Sequence, residues 1–255
     1  MVGDYSRYLW ITALILVIAA FFTSNVEISP GMSIISVMFI IFLSIPCFAS
    51  VILWLGWKKG LITIIILSIY AFSIETFAII TGFPYSPFHY TDMIGMKIFG
   101  YTPFTVPFAY VPLFLGCIYL ASKRWSENLK IILATAFLVL VVDLVLDPAA
   151  VSLNFWVYEH TSIFYGVPLQ NFLGWILTGA IAALIGLLIL KNELKSYKPP
   201  AMVSSLFLIM CFWTAVCFYR QLWVPSVIGM IFLILILKET EGRIGDFRLK
   251  NANSD

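Results

Sequence analysis

Three carboxyl groups stand where carboxyl groups are expensive. Glu75, Asp143 and Asp147 each fall in or at the end of a long apolar run. Placing one in a bilayer costs at least ~2.5–3.5 kcal/mol on insertion scales. Asp143 and Asp147 are four residues apart, so a helix carries them on one face. Two neighbouring carboxyls in an apolar site can divide into a protonated acid and an ionised base. Such a pair can hand a proton to a substrate and take one back. The alternative is a structural network in which polar groups hydrogen-bond across helices. Three acids at one level favour the chemical reading, since ionisable groups inside apolar spans mark function by default.

Further polar groups fall at the same level. Asn171 follows Gln170, and Asn171, Gly174 and Thr178 share a helix face. Two long connections, Phe83–Thr102 and Pro148–Val167, carry Tyr85, His89, Tyr90, Asp92 and Tyr101, then Asn154, Trp156, Tyr158, Glu159, His160 and Tyr165. His89 and His160 are the two histidines; with one Asp they would make three metal ligands. No HExxH or comparable spacing accompanies them, so no metal site is expected. Each reads as a loop residue that hydrogen-bonds a neighbour. Cys47, Cys117, Cys211 and Cys217 lie in apolar stretches without a CxxC pair and read as small buried hydrophobes.

Composition decides what positions these groups. The chain has 255 residues, 62% of them hydrophobic and 11% charged, with a formal net charge of +2. Soluble domains run about 45–50% apolar and about 25% charged. A water-soluble enzyme, a disordered protein, a basic nucleic-acid binder and a disulfide-stapled secreted domain are therefore excluded as classes. The expectation is an all-α, polytopic membrane helix bundle. A spanning helix needs about 20 apolar residues. Eight such stretches can be read: Tyr8–Val26, Met32–Trp54, Leu61–Gly82, Pro103–Ser122, Leu129–Asp147, Pro168–Leu190, Ala201–Tyr219 and a short one at Leu222–Leu237. The first has one flanking base, Arg7, and no clear cleavage site, so it reads as a retained helix rather than a signal peptide.

Of the fifteen Lys and Arg residues, thirteen fall on one side of this alternation. The other two are Lys97 and Arg220. By the positive-inside rule both termini are expected in the cytoplasm. Glu75, about seven residues from the far end of its span, then lies ~10 Å below the outer interface. Pro148 disfavours helix at the residue before it, so Asp147 is expected at a helix end. The inner half of the spans carries almost no ionisable residue, which puts any chemistry near the outer face. Residues 1–237 are expected to form one transmembrane domain and 238–255 a short, solvated polar tail. The two long connections, aromatic and Pro- and Gly-rich, are expected to fold back on the outer mouth.

The run Asp143-Leu-Val-Leu-Asp147-Pro148 leads through Phe155-Trp156 to Phe164-Tyr165-Gly166-Val167-Pro168 and Asn171-Phe-Leu-Gly174-Trp175. Upstream, Glu75 precedes Thr81-Gly82-Phe83-Pro84-Tyr85 and Tyr90-Thr91. From Glu75 to Trp175 the chain resembles the integral-membrane carotenoid biosynthesis family, which includes the carotenoid 1,2-hydratases and the archaeal bisanhydrobacterioruberin hydratase. The resemblance implies a hydro-lyase that adds water to the terminal isolated double bond of a long polyene. The product would be a tertiary alcohol, and no cofactor would be needed. The partners implied are a long acyclic carotenoid or related isoprenoid, water and membrane lipid, with no nucleic acid.

The bare chemistry agrees with that implication. Protonating the less substituted alkene carbon leaves a tertiary cation, which water captures. Glu75, Asp143 and Asp147 are the candidate acid and base, with the donor among them left open. Trp156, Tyr165 and Trp175 offer aromatic faces to the cation. Asn171 is a candidate to hold the water, and Tyr85, Tyr90 and His89 are expected to complete the substrate and water lining. Two rival enzymes or carriers fit less well. An intramembrane prenyltransferase would use Asp143-x-x-x-Asp147 with Mg²⁺, but a second Asp-rich motif and a nearby Lys/Arg cluster are missing. A proton-coupled transporter usually shows matching halves, and none is visible. A non-catalytic pigment-binding subunit would leave three intramembrane acids unexplained.

Overall fold

Eight helices long and apolar enough to cross a membrane make up most of the chain, in a computed structural model that describes residues 3–26, 31, 33–160, 162 and 164–249. They are α1 (Ser6–Asn25), α2 (Ser33–Leu55), α3 (Trp57–Thr81), α4 (Val106–Arg124), α5 (Asn128–Ser152), α6 (Leu169–Leu190), α7 (Ser204–Tyr219) and α8 (Trp223–Thr240). The architecture is an all-α polytopic bundle. Met32, where the second span was expected to open, and residues 250–255 of the expected tail lie outside the described residues.

The helices are apolar on nearly every side, as spans must be when lipid rather than water surrounds them. α4 and α7 are the most buried and α1 the least. α1 packs on α7, α2 on α3, α4 and α7, and α5 on α6. Gly82, left-handed at φ 74°, stops α3 six residues beyond Glu75. The Gln170 side chain donates to the Gly82 carbonyl at 3.0 Å, fixing that end against α6.

Asp147 does not end its helix, contrary to expectation. α5 continues through Pro148 to Ser152. Proline removes one helical N–H and disfavours helix before it, but packing decides here. Asp147, Pro148, Ala149 and Ala150 are all buried. A neighbouring helix adds a bond near the proline, where Cys217 Sγ donates to the Val145 carbonyl at 3.3 Å. The true end is closed by Arg220, whose guanidinium donates to the Ser152 carbonyl at 2.8 Å, a cation where the helix dipole favours one.

The two long connections fold onto one mouth of the bundle. β1 (Phe88–Tyr90) pairs antiparallel with β4 (Trp156–Tyr158), with Tyr90 opposite Trp156. A second small pair joins β2 (Lys97–Ile98) to β3 (Thr102–Pro103). Thr91 ties the ribbon down through its amide to Phe155 O and its hydroxyl to Asn154 O. At the opposite, basic end, the stretch after Leu237 is partly packed. Ile244 is fully buried, and the Tyr5 and Phe247 amides donate to the Gly245 and Gly3 carbonyls.

Candidate active site

α5 presents Asp143 and Asp147 one turn apart, both buried. α6 runs alongside and aims Asn171 between them. Its amide nitrogen donates to Asp143 Oδ2 at 2.8 Å and to Asp147 Oδ2 at 2.7 Å. The ribbon adds Tyr158, whose hydroxyl donates to Asp147 Oδ2 at 2.5 Å. Burial first, and then Asp147, hold the Tyr158 hydroxyl well above its usual titration range, so it stays a donor. Asp147 Oδ2 thus accepts from two groups, as an ionised oxygen does. Asp143 Oδ1 is buried and has no hydrogen-bond donor.

Glu75 forms a second, adjoining cluster. Tyr90 donates to Oε1 at 2.5 Å and Tyr110 to Oε2 at 2.6 Å. Burial first, and then Glu75, keep the Tyr90 hydroxyl protonated well above its ordinary range. Behind these, Trp175 lies 4.8 Å from the Tyr110 ring and stacks on Tyr85 at 5.4 Å. The Tyr85 hydroxyl closes on Thr178 Oγ1 at 2.8 Å. Gly174 is what lets the loop lie so close. A Cβ there would sit 2.7 Å from both the Pro84 carbonyl oxygen and the Tyr85 ring. The α6 face of Asn171, Gly174 and Thr178 therefore contacts the acids and the loop together.

A cavity of about 510 Å³ opens from this cluster between α1, α2, α4, α5 and α7. Its wall is almost wholly apolar, and Asp143 and Asp147 are the charged residue types in it among the described residues. Tyr90, Tyr110, Trp156 and Trp175 line the same end, and Trp156 meets Tyr90 edge to face at 5.7 Å. Phe22, Val26 and Ile35 line the cavity and are also more than half exposed, which puts a sideways opening between α1 and α2. The volume suits a drug-sized apolar group.

The structure brings together most residues picked from sequence and separates a few. Asp143, Asp147, Asn171, Trp156, Trp175, Tyr85, Tyr90 and Glu75 converge. Glu75 itself does not line the cavity, and Tyr90 and Tyr110 stand between. His89 does not join them. It sits on the exposed face of β1, because alternation along the strand turns Phe88 and Tyr90 inward and His89 out. Tyr165 also stands apart, half-buried, its hydroxyl accepting from the Val224 amide at 3.5 Å. Two residues were missed as site members. Tyr110 looked like one more aromatic in a span, and Tyr158 like one more loop tyrosine.

A family model described as "Carotenoid biosynthesis protein" matches residues 31–236. Bisanhydrobacterioruberin hydratase of Haloarcula japonica is 33% identical over 180 residues, covering 66% of this chain and 59% of the relative. The match thus spans less than two thirds of that relative's length. No solved structure matches. The α5–α6 acid site lies inside the matched region, which takes in most of the chain, and the protein belongs to the carotenoid biosynthesis protein family.

Proposed function

We propose that this protein is a carotenoid hydratase, a hydro-lyase that adds water to the terminal double bond of an acyclic carotenoid of the bisanhydrobacterioruberin kind. The observation that carries the reading is the Asp143–Asp147 pair on the wall of an otherwise apolar cavity with a sideways opening. The polyene end enters between α1 and α2 from lipid. The protonated member of the pair gives its proton to the less substituted alkene carbon, and the π electrons form the new C–H bond. The tertiary cation that remains faces Trp156 and Trp175, whose ring faces attract positive charge. Water attacks the cation, and the ionised carboxyl takes the proton that water releases. The pair ends with one proton, as it began.

Asn171 and Tyr158 hold the pair in register. Glu75 acts through Tyr90 and Tyr110, placing negative charge behind the two rings that line the cavity. The basic residues cluster at the far end of the bundle, so the positive-inside rule puts the acids near the outer leaflet. A prenyltransferase would need cations for a diphosphate, and among the described residues no Lys or Arg lines this cavity.

Expression in a bacterium that makes an acyclic carotenoid, followed by mass analysis of the pigment, tests the reading. The expected result is a gain of one water per modified end, lost in Asp143→Asn while the protein remains in the membrane. Full product formation by Asp143→Asn would overturn the acid assignment. Unchanged pigment with the wild type, tried also with shorter acyclic isoprenoids, would overturn the hydratase reading.

A further inference from the structure

A second pocket lies at the opposite end of the bundle, about three turns of α5 from Asp143. It has a volume of about 290 Å³ and sits among the C-terminal end of α4, the N-terminal end of α5 and the C-terminal end of α6. Five cationic side chains line it: Lys123, Arg124, Lys191, Lys195 and Lys198. Among the described residues no acidic side chain lines it. The nearby acids are engaged elsewhere or turned away: Glu127 pairs with Lys130 at 2.7 Å and Glu193 with Lys59 at 2.5 Å, while Glu239 meets Lys123 only through its backbone carbonyl.

Two of the five cations are spent on backbone carbonyls. Lys123 donates to Glu239, and Lys198 donates to Leu194 at 2.6 Å and Ser122 at 3.3 Å. Among the described residues, the Arg124, Lys191 and Lys195 side chains have no ion pair or hydrogen bond, whereas the neighbouring Lys59 and Lys130 are paired. Burial, and then Lys123, hold the Lys198 ammonium below its usual titration range. Like charges are crowded together here with no acidic side chain among the described lining residues. The α5 N-terminus adds unpaired amides, since Glu127 at its cap makes no side-chain capping bond.

The rest of the wall is apolar. Ile131 and Leu187 line the pocket. Leu129 and Leu133 on α5 are 66% and 61% exposed, and Leu188 on α6 is 77% exposed. Leu184, Leu188 and Lys191 fall at helical spacing on one face, so the exposed leucines lead up to a cation. Polar headgroup contacts above and acyl-chain contacts below are the two halves of a phospholipid.

We infer that this basic pocket binds the phosphate headgroup of an anionic phospholipid, whose acyl chains lie along the exposed leucines of α5 and α6. Lys191 and Lys195 are point charges for the phosphate, and Arg124 offers a planar fork to two of its oxygens. Basic pockets between helix ends are suited to such headgroups. The site is independent of the hydratase reading, since it shares no residue with the acid cavity.

The test uses the full chain in a neutral detergent. Its thermal unfolding midpoint is followed against phosphatidylglycerol, phosphatidylcholine and inorganic phosphate at matched concentrations. Phosphatidylglycerol is expected to raise the midpoint; the other two are not. The triple variant Arg124→Gln, Lys191→Gln, Lys195→Gln should bind phosphatidylglycerol on the order of a hundredfold more weakly. The variant Lys58→Gln removes a charge at the same end but outside the pocket, and should behave as wild type. An equal shift with phosphatidylcholine, or a full shift in the triple variant, overturns the proposal. A shift with inorganic phosphate as large as that with phosphatidylglycerol overturns the lipid as ligand.

Discussion

Replacing Asn171 by Leu tests whether the two aspartates work as a bridged pair. Leu has nearly the shape of Asn but donates nothing. The substitution deletes both bonds to the pair, at 2.8 and 2.7 Å. With one carboxyl ionised and one protonated, one lost bond is charge-assisted and one is ordinary. The first is worth about 1.5–3 kcal/mol and the second about 0.5–1.5 kcal/mol. Together that is ~2–4.5 kcal/mol, and each 1.36 kcal/mol is a factor of ten in rate. If the bridge acts in the proton-transfer step, product formation should fall roughly 30- to 2,000-fold. The assay is the initial rate of hydrated carotenoid formed by isolated membranes, normalised to the amount of protein. A rate within about threefold of wild type, less than ~0.7 kcal/mol, would refute the bridging role.

Three further outcomes follow from the same geometry. Tyr110→Phe removes one of the two donors to Glu75; at ~1.5–3 kcal/mol for a bond to a charged group, turnover should drop about 10- to 150-fold, read as kcat rather than KM. His89→Ala should leave the hydration rate within about twofold, because the side chain is on the exposed face of β1 and the loss touches no site group. Gly174→Ala should lower the thermal midpoint and the yield of folded protein, since its methyl group collides with the Pro84 backbone; a cost of ~1–3 kcal/mol is expected from such overpacking.

The bundle and the acids were legible because both signals are costly to violate. Eight apolar runs of spanning length cannot hide, and Glu75, Asp143 and Asp147 stand out against them. Asn171 was legible for the same reason, at the start of an apolar run. Orientation within an element was harder to read. His89 and Tyr90 are adjacent, and three residues of β1 are too few for period-two alternation to show which faces inward. Tyr110 carries no signal of its own. A tyrosine in a span also serves as an interfacial anchor, and only the fold reveals its hydroxyl 2.6 Å from Glu75. Pro148 misled because its local preference is real but is outweighed by burial around Ala149 and Ala150. The packed stretch around Ile244 was invisible, since Ile244, Phe247 and Leu249 scattered among charged and glycine residues are too few to give a periodic pattern.

The placement of the cavity wall has a consequence for how such a protein can diversify. The aspartate pair and its hydrogen-bonding partners stand on α5, α6 and the ribbon, deep in the assembly. The opening is bordered by α1, the least buried helix, and by the first turns of α2. Mutations that reshape Phe22, Thr23, Ile35 or Ser36 alter the girth of the chain admitted without disturbing the inner helices. If the protein is the proposed hydratase, selection can therefore re-address the same acid pair to a different polyene by editing the periphery, at small risk to folding.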